Sequence, residues 1–503
     1  MKILNSDQVR EADKLTIERQ HLATAELMER AAVNCTWWLT QRFKEETSFI
    51  IICGNGNNGG DGLAIARLLK NKFSTISVVI IGDENKRTED NKLNLERLKS
   101  IGIDVSVLNE NEELHDFYGG SVIIDAILGN GLNRSVSGFL AEIMKQINSS
   151  GAFVVSIDSP SGFFNEMPMP ENALAVEADI TLCLQAPRLM YFFPESYRYT
   201  GDWEVVNIGL DEEYIARQDG SFHYVTLKDI QPLLPAPRHK FSHKGTYGHA
   251  LLIGGGYGKT GAILLSAKAC MRAGAGLTSI YAPVCSMIPL QSAVPEGMVI
   301  SGDQEKWLSG TINPEHFSAL GFGPGAGKHD DTAKLLKHLL QDTKQPIVID
   351  ADGLNILADN PTWLAFLPEN TVLTPHPGEI DRLAGTPAKS GYDRFNKALE
   401  ISLKSNAVIV LKGAFTACIF PDGTVFFNST GNPGMATGGS GDVLTGILTG
   451  LLAQNIPVKS AVLTGVYLHG LAGDIAAKEK TETGLVAGDL IEKIGDAWKE
   501  IYL

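Results

Sequence analysis

An α/β protein of two domains, each built on a mostly parallel sheet, is predicted by three features of the sequence. Short β-branched runs alternate with polar-apolar helical stretches from residue 48 to about 210, the same alternation restarts after residue 245, and a proline-rich segment separates the two. Strands that are apolar throughout are those covered by helices on both faces, the setting of a doubly wound parallel sheet.

Each element reads in order. SFIIICG is a strand, DGLAIARLLKNK a helix, TISVVIIG a strand, NKLNLERLKSIG a helix, SVIIDAILG a strand, FLAEIMKQINSSG a helix and FVVSIDSPSG a strand. In the second half GHALLIGGG, LTSIYAP, PIVIDADG, TVLTPHPGE and AVIVLKG read as strands and AILLSAKACMRAGAG as a helix, while IFPDGTVFF reads as a hairpin turning at Asp422 and Gly423. Between them, IQPLLPAPRHKFSHKGTYG carries Pro232, Pro235 and Pro237 and places the boundary near residue 220. The expected domains are 1–219 and 220–503. No internal repeat links them, so they read as different modules.

Composition narrows the function classes. A chain of 503 residues holds about two to four domains, and 44% hydrophobic with 20% charged residues suits a packed core. No apolar run reaches the roughly 18 residues of a membrane span, and MKILNSDQVREADKL lacks the pattern of a secretory signal, so no export is expected. The six cysteines form no CxxC pair and sit mostly in apolar segments, which points to buried thiols in a reducing cytosol. A net charge of −15 without a Lys/Arg stripe argues against nucleic acid as a partner. The expectation is a cytoplasmic homo-oligomer acting on small molecules.

The first chemical signal is Gly54 to Gly62, GNGNNGGDG, between a strand and a helix, where backbone N–H groups can hold phosphate. It has neither the lysine of a phosphate-binding GxxxxGK[ST] loop nor plain GxGxxG spacing. Two further loops start at the carboxyl ends of predicted strands, DAILGNG from Asp125 to Gly131 and DSPSG from Asp158 to Gly162. Ligands of open α/β sheets bind at that edge, so the three loops can meet there.

With these motifs, residues 1 to about 215 resemble the epimerase domain that interconverts the R and S forms of hydrated NADH and NADPH. The resemblance implies a dinucleotide site lined by Asn57, Asn58, Gly59, Gly60 and Asp61, and by Gly129, Asn130, Gly131, Leu132, Asn133, Arg134 and Ser135. It implies that Asp158 faces the hydrated ring as a catalytic residue, either moving a proton or orienting the ring. A potassium ion on Asn58, Asp125 and Ser161 is implied too, and oxygen donors of mixed charge suit a hard monovalent cation. A related domain serves elsewhere as a non-catalytic RNA-processing scaffold, but the intact Asp125 and Asp158 and the acidic charge favour an enzyme.

In the second half GGGYGKT and GFGPGAGK imitate a P-loop, yet Ile253 and Phe322 stand where its first glycine belongs. The stronger signal is GNPGMATGGSGD, Gly431 to Asp442, running into the apolar helix VLTGILTGLLA. Such a helix start offers N–H groups to an anion, with Asp442 beside it as a general base for an attacking hydroxyl.

Residues 222 to 503 resemble the ribokinase-like superfamily and, within it, the dehydratase that restores hydrated NADH and NADPH using ADP or ATP. KGTYGHALLIGGG, GFGPG, DADGLN, TPHPGE, LKGAFT and GNPGMATGGSGD carry the likeness. It implies that Ala262, Gly325, His376 and catalytic Asp442 contact the hydrate, that Lys412, Gly413, Ala414, Phe415, Thr416 and Gly441 hold the adenine nucleotide, and that Mg2+ accompanies it. The expected fold class is therefore α/β, with an N-terminal Rossmann-like parallel sheet and a C-terminal ribokinase-like domain. Chains with both domains in this order resemble the ADP-using form, with ATP the alternative donor. A simple ribokinase-like small-molecule kinase fused to a dinucleotide-binding domain also accommodates the GGSGD motif.

Overall fold

A computed structural model describes residues 1–109, 120–132, 134–218 and 220–503. They form two compact units, Lys2–Gly220 and Ser221–Leu503, Met1 clustering with the latter.

The first unit contains α1 (Ser6–Gln20), α2 (Thr24–Arg42), β1 (Ser48–Cys53), α3 (Asn57–Leu69), β2 (Ile76–Ile81), α4 (Glu89–Ser100) and β3 (Val105–Leu108). It continues with β4 (Ser121–Ala126), α5 (Phe139–Ser149), β5 (Phe153–Ile157), β6 (Ile180–Leu184), α6 (Tyr197–Thr200), β7 (Asp202–Val206) and α7 (Glu212–Arg217). The sheet order is β3-β2-β1-β4-β5-β6-β7, parallel throughout. Successive side chains alternate between faces: Ile51, Cys53 and Ile124 join the core under α2 and α3, while Ile52 and Ile123 join the one under α5. The chain winds outward in opposite directions from β1 and β4, so a crevice opens at their carboxyl ends.

One boundary differs from the sequence reading. The helix after β1 begins at Asn57, not Asp61, so most of the glycine-rich segment is helical. A methyl group at Gly59 would overlap the Gly54 carbonyl, and this close approach of backbones is what the glycine permits. Short β3, buried β6 and polar-alternating β7 extend the sheet beyond the strands read from the sequence.

The second unit contains β8 (Phe222–Val225), α8 (Leu227–Ile230), β9 (His249–Ile253), α9 (Thr260–Arg272), β10 (Leu277–Ala282), α10 (Met287–Ala293), β11 (Met298–Ser301) and β12 (Ala319–Phe322). Then follow α11 (Asp330–Asp342), β13 (Ile347–Ile349), α12 (Asp352–Asp359), β14 (Thr371–Leu373), α13 (Pro377–Leu383), α14 (Gly391–Ser405) and β15 (Val408–Leu411). The chain ends with β16 (Ala417–Ile419), β17 (Val425–Asn428), α15 (Ser440–Ala453), α16 (Val458–Lys480) and α17 (Ala487–Tyr502). Their sheet runs β11-β10-β9-β12-β13-β14-β15-β16-β17-β8. It is parallel from β11 to β15, and the antiparallel β16–β17 hairpin turns at Asp422 and Gly423 as read from the sequence. The winding reverses between β9 and β12.

Helix α15 is buried along its whole length from Val443 and packs on α9. Among the described residues no helix is long and apolar enough to cross a membrane, and all six cysteines are free.

Gly446 sets the distance between α15 and α9. In an exposed helix Gly→Ala gains about 1 kcal/mol, but here the methyl would overlap the Ser266 carbonyl. Gly446→Ala is therefore expected to lower the stability of this unit by about 1–3 kcal/mol, the usual cost of overpacking, read as a lower urea midpoint.

Candidate active sites

A cavity of about 850 Å³ opens at the carboxyl edge of the first sheet. Asn57, Asn58 and Asp61 reach it from α3, Gly129 and Asn130 from the loop after β4, and Asp158 from the end of β5. All three sequence-identified loops thus meet. The α1 helix completes the wall with Ser6, Val9, Arg10 and Asp13, a single stripe spaced i, i+3, i+4 and i+7. Gly59 and Gly60 are buried beside Asn58 without lining the cavity, and Gly131, Leu132, Arg134 and Ser135 do not line it. Asn133 lies outside the described residues.

Asp125 is fully buried and joins two of the loops. It accepts bonds from the Ser161 backbone N–H at 2.8 Å, Ser161 Oγ at 2.5 Å and Ser156 Oγ at 2.8 Å. Burial raises its pKa and these bonds oppose the rise. Ser161 Oγ in turn accepts from the Leu128 N–H at 2.8 Å. Asn58 is only 8% exposed, and both polar atoms of its amide lack a hydrogen-bond partner. A buried amide left so is a place where a ligand completes the bonding.

Asp158 sits at φ 66° with both oxygens engaged. Oδ1 takes Arg188 Nη2 at 2.6 Å and Oδ2 takes the Asn130 N–H at 2.8 Å. A methyl at Gly129 would stand 3.1 Å from Asp158 Oδ2 and 3.2 Å from Asn58 Cβ, so these groups share one end of the cavity. Two other acids feel this charge. Burial, then Asp158, raise Asp13 to about 7 against the pull of Arg188. Burial, then Asp158 and Asp13, push Asp61 well above the carboxylate range.

In the second unit a cavity of about 450 Å³ lies at the carboxyl ends of the parallel strands. Lys259 and Ala262 line it near the start of α9, Gly325 after β12, Asp352 and Asn355 on α12, His376, Glu379 and Arg382 around α13, and Asp442 on α15. The four residues that the sequence assigns to the hydrate, Ala262, Gly325, His376 and Asp442, therefore come together.

Asp442 stands in the first turn of α15, after Gly439 at φ 97°. The ladder of this helix begins with the Val443 N–H on the Gly439 carbonyl, so N–H groups ahead of it can face an anion. His469 Nε2 donates to the Ser440 carbonyl at 3.0 Å and Ser266 Oγ to the Asp442 carbonyl at 2.8 Å, which fixes the turn. Asp350, 1% exposed, takes Lys412 Nζ at 2.7 Å and Thr445 Oγ1 at 2.7 Å. A methyl on Gly441 would lie 3.1 Å from Lys412 Nζ, so the ammonium borders the helix start. Burial, then the charge of Asp350, raise Asp442 to about 6, while Lys412 opposes them. Gly413, Ala414, Phe415 and Thr416 do not line this cavity.

His376 caps α13, its Nδ1 accepting the Gly378 N–H at 3.0 Å and its Nε2 lying 3.4 Å from Glu379 Oε1. Burial and the nearby Lys412 and Arg382 charges lower its pKa. The imidazole is thereby kept neutral beside an acid on its own helix.

The chain matches two known families in succession. The model described as YjeF-related protein N-terminus covers residues 24–190, and that described as NAD(P)H-hydrate dehydratase covers residues 250–496. A bifunctional NAD(P)H-hydrate repair enzyme from Moorella thermoacetica is 34% identical over 98% of this chain and 96% of its own length. The chain belongs to the family of bifunctional NAD(P)H-hydrate repair enzymes. Its similarity to the repair enzyme of Coxiella burnetii is 36% identity over 96% of each chain. A solved ribokinase-like superfamily protein from Enterococcus faecalis is 30% identical, with a TM-score of 0.50, over 56% of this chain and 98% of its own.

The structure adds residues that sequence reasoning missed. Asp13 and Arg188 lie far from every motif of the first unit, and nothing local marks them. Asp350 and Glu379 sit inside the DADGLN and TPHPGE motifs, where their charge was a usable signal. Lys259, in the segment that imitates a P-loop, borders the cavity and pairs with Asp352 at 3.0 Å.

Proposed function

We propose that this chain repairs hydrated NADH and NADPH. The Lys2–Gly220 unit interconverts the R and S hydrates, and the Ser221–Leu503 unit dehydrates the S form using ADP, which leaves as AMP and phosphate. The observation that carries the reading is Asp442 at a glycine-led helix start in a cavity with Ala262, Gly325 and His376, within a chain whose bifunctional relatives match it end to end.

In the dehydratase step Asp442 takes the proton of the ring hydroxyl as its oxygen attacks the terminal phosphorus. The helix-start N–H groups and Lys412 stabilise charge on the transferred group. Phosphate then leaves the resulting ester with the C–O electron pair, and loss of a proton from the neighbouring carbon restores the dihydronicotinamide. Among the described residues no three His, Cys, Asp or Glu side chains converge as metal ligands, so magnesium would rest on phosphates and water.

For the epimerase unit, Asn57, Asn58, Asp61, Gly129, Asn130 and Asp158 would hold the dinucleotide. The unpartnered Asn58 amide, with the oxygens of Asp125 and Ser161, suits a potassium ion, which would supply positive charge near the substrate.

Asp442→Asn is expected to lower dehydration about 10²-fold or more, the range for a lost general base, while nucleotide binding and epimerisation persist. Because the base works only when ionised, kcat/KM of the wild type should fall as pH drops below about 6. A pH-independent rate through that range removes Asp442 as the base.

The nucleotide is decided by its products. Chromatography is expected to show AMP and phosphate formed one for one with restored NADH. Efficient turnover with ATP giving ADP, and none with ADP, overturns the assignment of ADP. Restored NADH in neither case, with a phosphorylated small alcohol instead, makes this unit a kinase.

Exchange of potassium for lithium is expected to slow epimerisation but not dehydration of pure S hydrate. Indifference of epimerisation to the cation counts against a site on Asn58, Asp125 and Ser161.

A further inference from the structure

Five features of the first cavity bear on which group moves a proton during epimerisation. Asp13 projects into it from α1, on the stripe that also presents Ser6, Val9 and Arg10. Ser6 Oγ donates to Asn130 Oδ1 at 2.8 Å, so this helix is tied to the loop after β4. Each oxygen of Asp158 already accepts one bond, from Arg188 and from the Asn130 N–H, so this carboxylate is held in a fixed position beside a cation. Asp61 also lines the cavity, from α3, and is 8% exposed. The unpartnered amide of Asn58, also 8% exposed and on the cavity wall, marks this end as the place a ligand completes.

We infer that Asp13 is the acid and base of the epimerase reaction, and that Asp158, held by Arg188, is the fixed charge that steadies the cation formed on the way. The assignment rests on the epimerase reading above and names the group that reading leaves open.

The chemistry of a hydrated dihydronicotinamide sets the task. Water adds to an enamine with the proton on the carbon β to nitrogen and the hydroxyl on the carbon beside nitrogen. Inversion therefore concerns a carbon that bears both N and OH. Protonated Asp13 gives its proton to the hydroxyl oxygen. The C–O bond breaks, its electron pair departs with water, and the nitrogen lone pair forms a C=N bond. A water then adds to the opposite face through an oxygen lone pair, the C=N pair returns to nitrogen, and the surplus proton passes through cavity water back to Asp13. One water leaves, one enters, and nothing is oxidised or reduced.

The surroundings suit a group that must be acid and then base. Asp158 at the end of β5 and Asp61 on α3 face Asp13 with like charge or a raised acid, Arg188 after β6 opposes them, and Arg10 stands on its own helix. Burial and Asp158 bring Asp13 to about 7, close to the operating pH, where donation and acceptance are balanced. Burial, more than the neighbouring charges, holds Asp61 well above the ordinary range.

The test uses the full chain, pure R hydrate and no nucleotide, so that only inversion is read. Asp13→Asn is expected to slow R-to-S conversion about 10²-fold or more with KM retained, and Asp13→Glu to recover part of the rate. The wild-type kcat/KM should decline as pH rises through about 7, because the donor must be protonated, and the residual rate of Asp13→Asn should lose this limb. In heavy-oxygen water the label should enter the product once per inversion. Wild-type-like inversion in Asp13→Asn overturns the assignment, as does a wild-type profile flat through about pH 7, which can be read even if the variant is insoluble. Retention of the original oxygen overturns the proposed step. A wild type that does not invert the hydrate at all removes the epimerase reading itself, and this inference with it.

Discussion

A buried aspartate at the carboxyl end of a central parallel strand holds each site together. In the first unit Asp125 ends β4 and draws in Ser161 and Ser156 from the neighbouring strand and its loop. In the second, Asp350 follows β13 and draws in Lys412 from beyond β15 and Thr445 from α15. A carboxylate taken out of water costs several kcal/mol unless each lone pair finds a donor. That cost makes the arrangement specific, since a loop that moved would strand the charge. The loops that carry Gly129 and Asp158 in one cavity, and the first turns of α15 in the other, are tied to these two acids.

The fixed charges then divide the labour among the remaining acids. Asp158 is paired with a fully enclosed guanidinium, and its field still raises Asp13, where Arg188 offsets part of it, and Asp61. Lys412 is likewise paired with Asp350, which lets the Asp350 charge raise Asp442 even though an ammonium stands nearby. In both units one carboxylate is tied by a cation and another, a little apart, is lifted toward neutrality by burial and by its tied neighbour. Separation of paired acids in this way is how a site obtains a permanent charge and a titrating group from the same residue type.

Motifs at strand ends were legible because their chemistry is local. GNGNNGGDG, DAILGNG, DSPSG and GNPGMATGGSGD each join a strand end to a loop or helix start, and the fold brings them to the edge where such loops converge. The start of α3 is hidden because glycine density reads as loop, whereas Gly59 serves packing of helix against backbone. Asp13 could not be found from its surroundings. It lies on a polar helix whose contact with the cavity depends on the whole sheet, and an aspartate there is indistinguishable from a solvated one. Arg188 has the same difficulty, since nothing in QAPRLMYF states that its guanidinium turns inward to a carboxylate thirty residues earlier.

On the proposed reading, both cavities act on the same C–O bond, and the difference between them follows from what must happen to its oxygen. Inversion breaks and remakes the bond with water, so the products differ from the reactants only in configuration and no energy source is needed. The first cavity accordingly requires an acid that recovers its proton, a fixed negative charge, and room for a second water, all within about 850 Å³. Dehydration must instead run one way in a solvent made of the leaving group. Hydroxide is a poor leaving group and water is always present to return, whereas phosphate leaves readily and its formation from a nucleotide anhydride is strongly downhill. The second cavity therefore needs no group that returns a proton to the departing oxygen. It needs a base for the hydroxyl and a polar cradle for the phosphoryl group, and a kinase-like helix start with Asp442 in its first turn provides both. A phosphoryl-transfer scaffold thus serves a lyase because the energetic step is the transfer, and the loss of phosphate that follows is the intrinsic chemistry of a carbon bound to nitrogen.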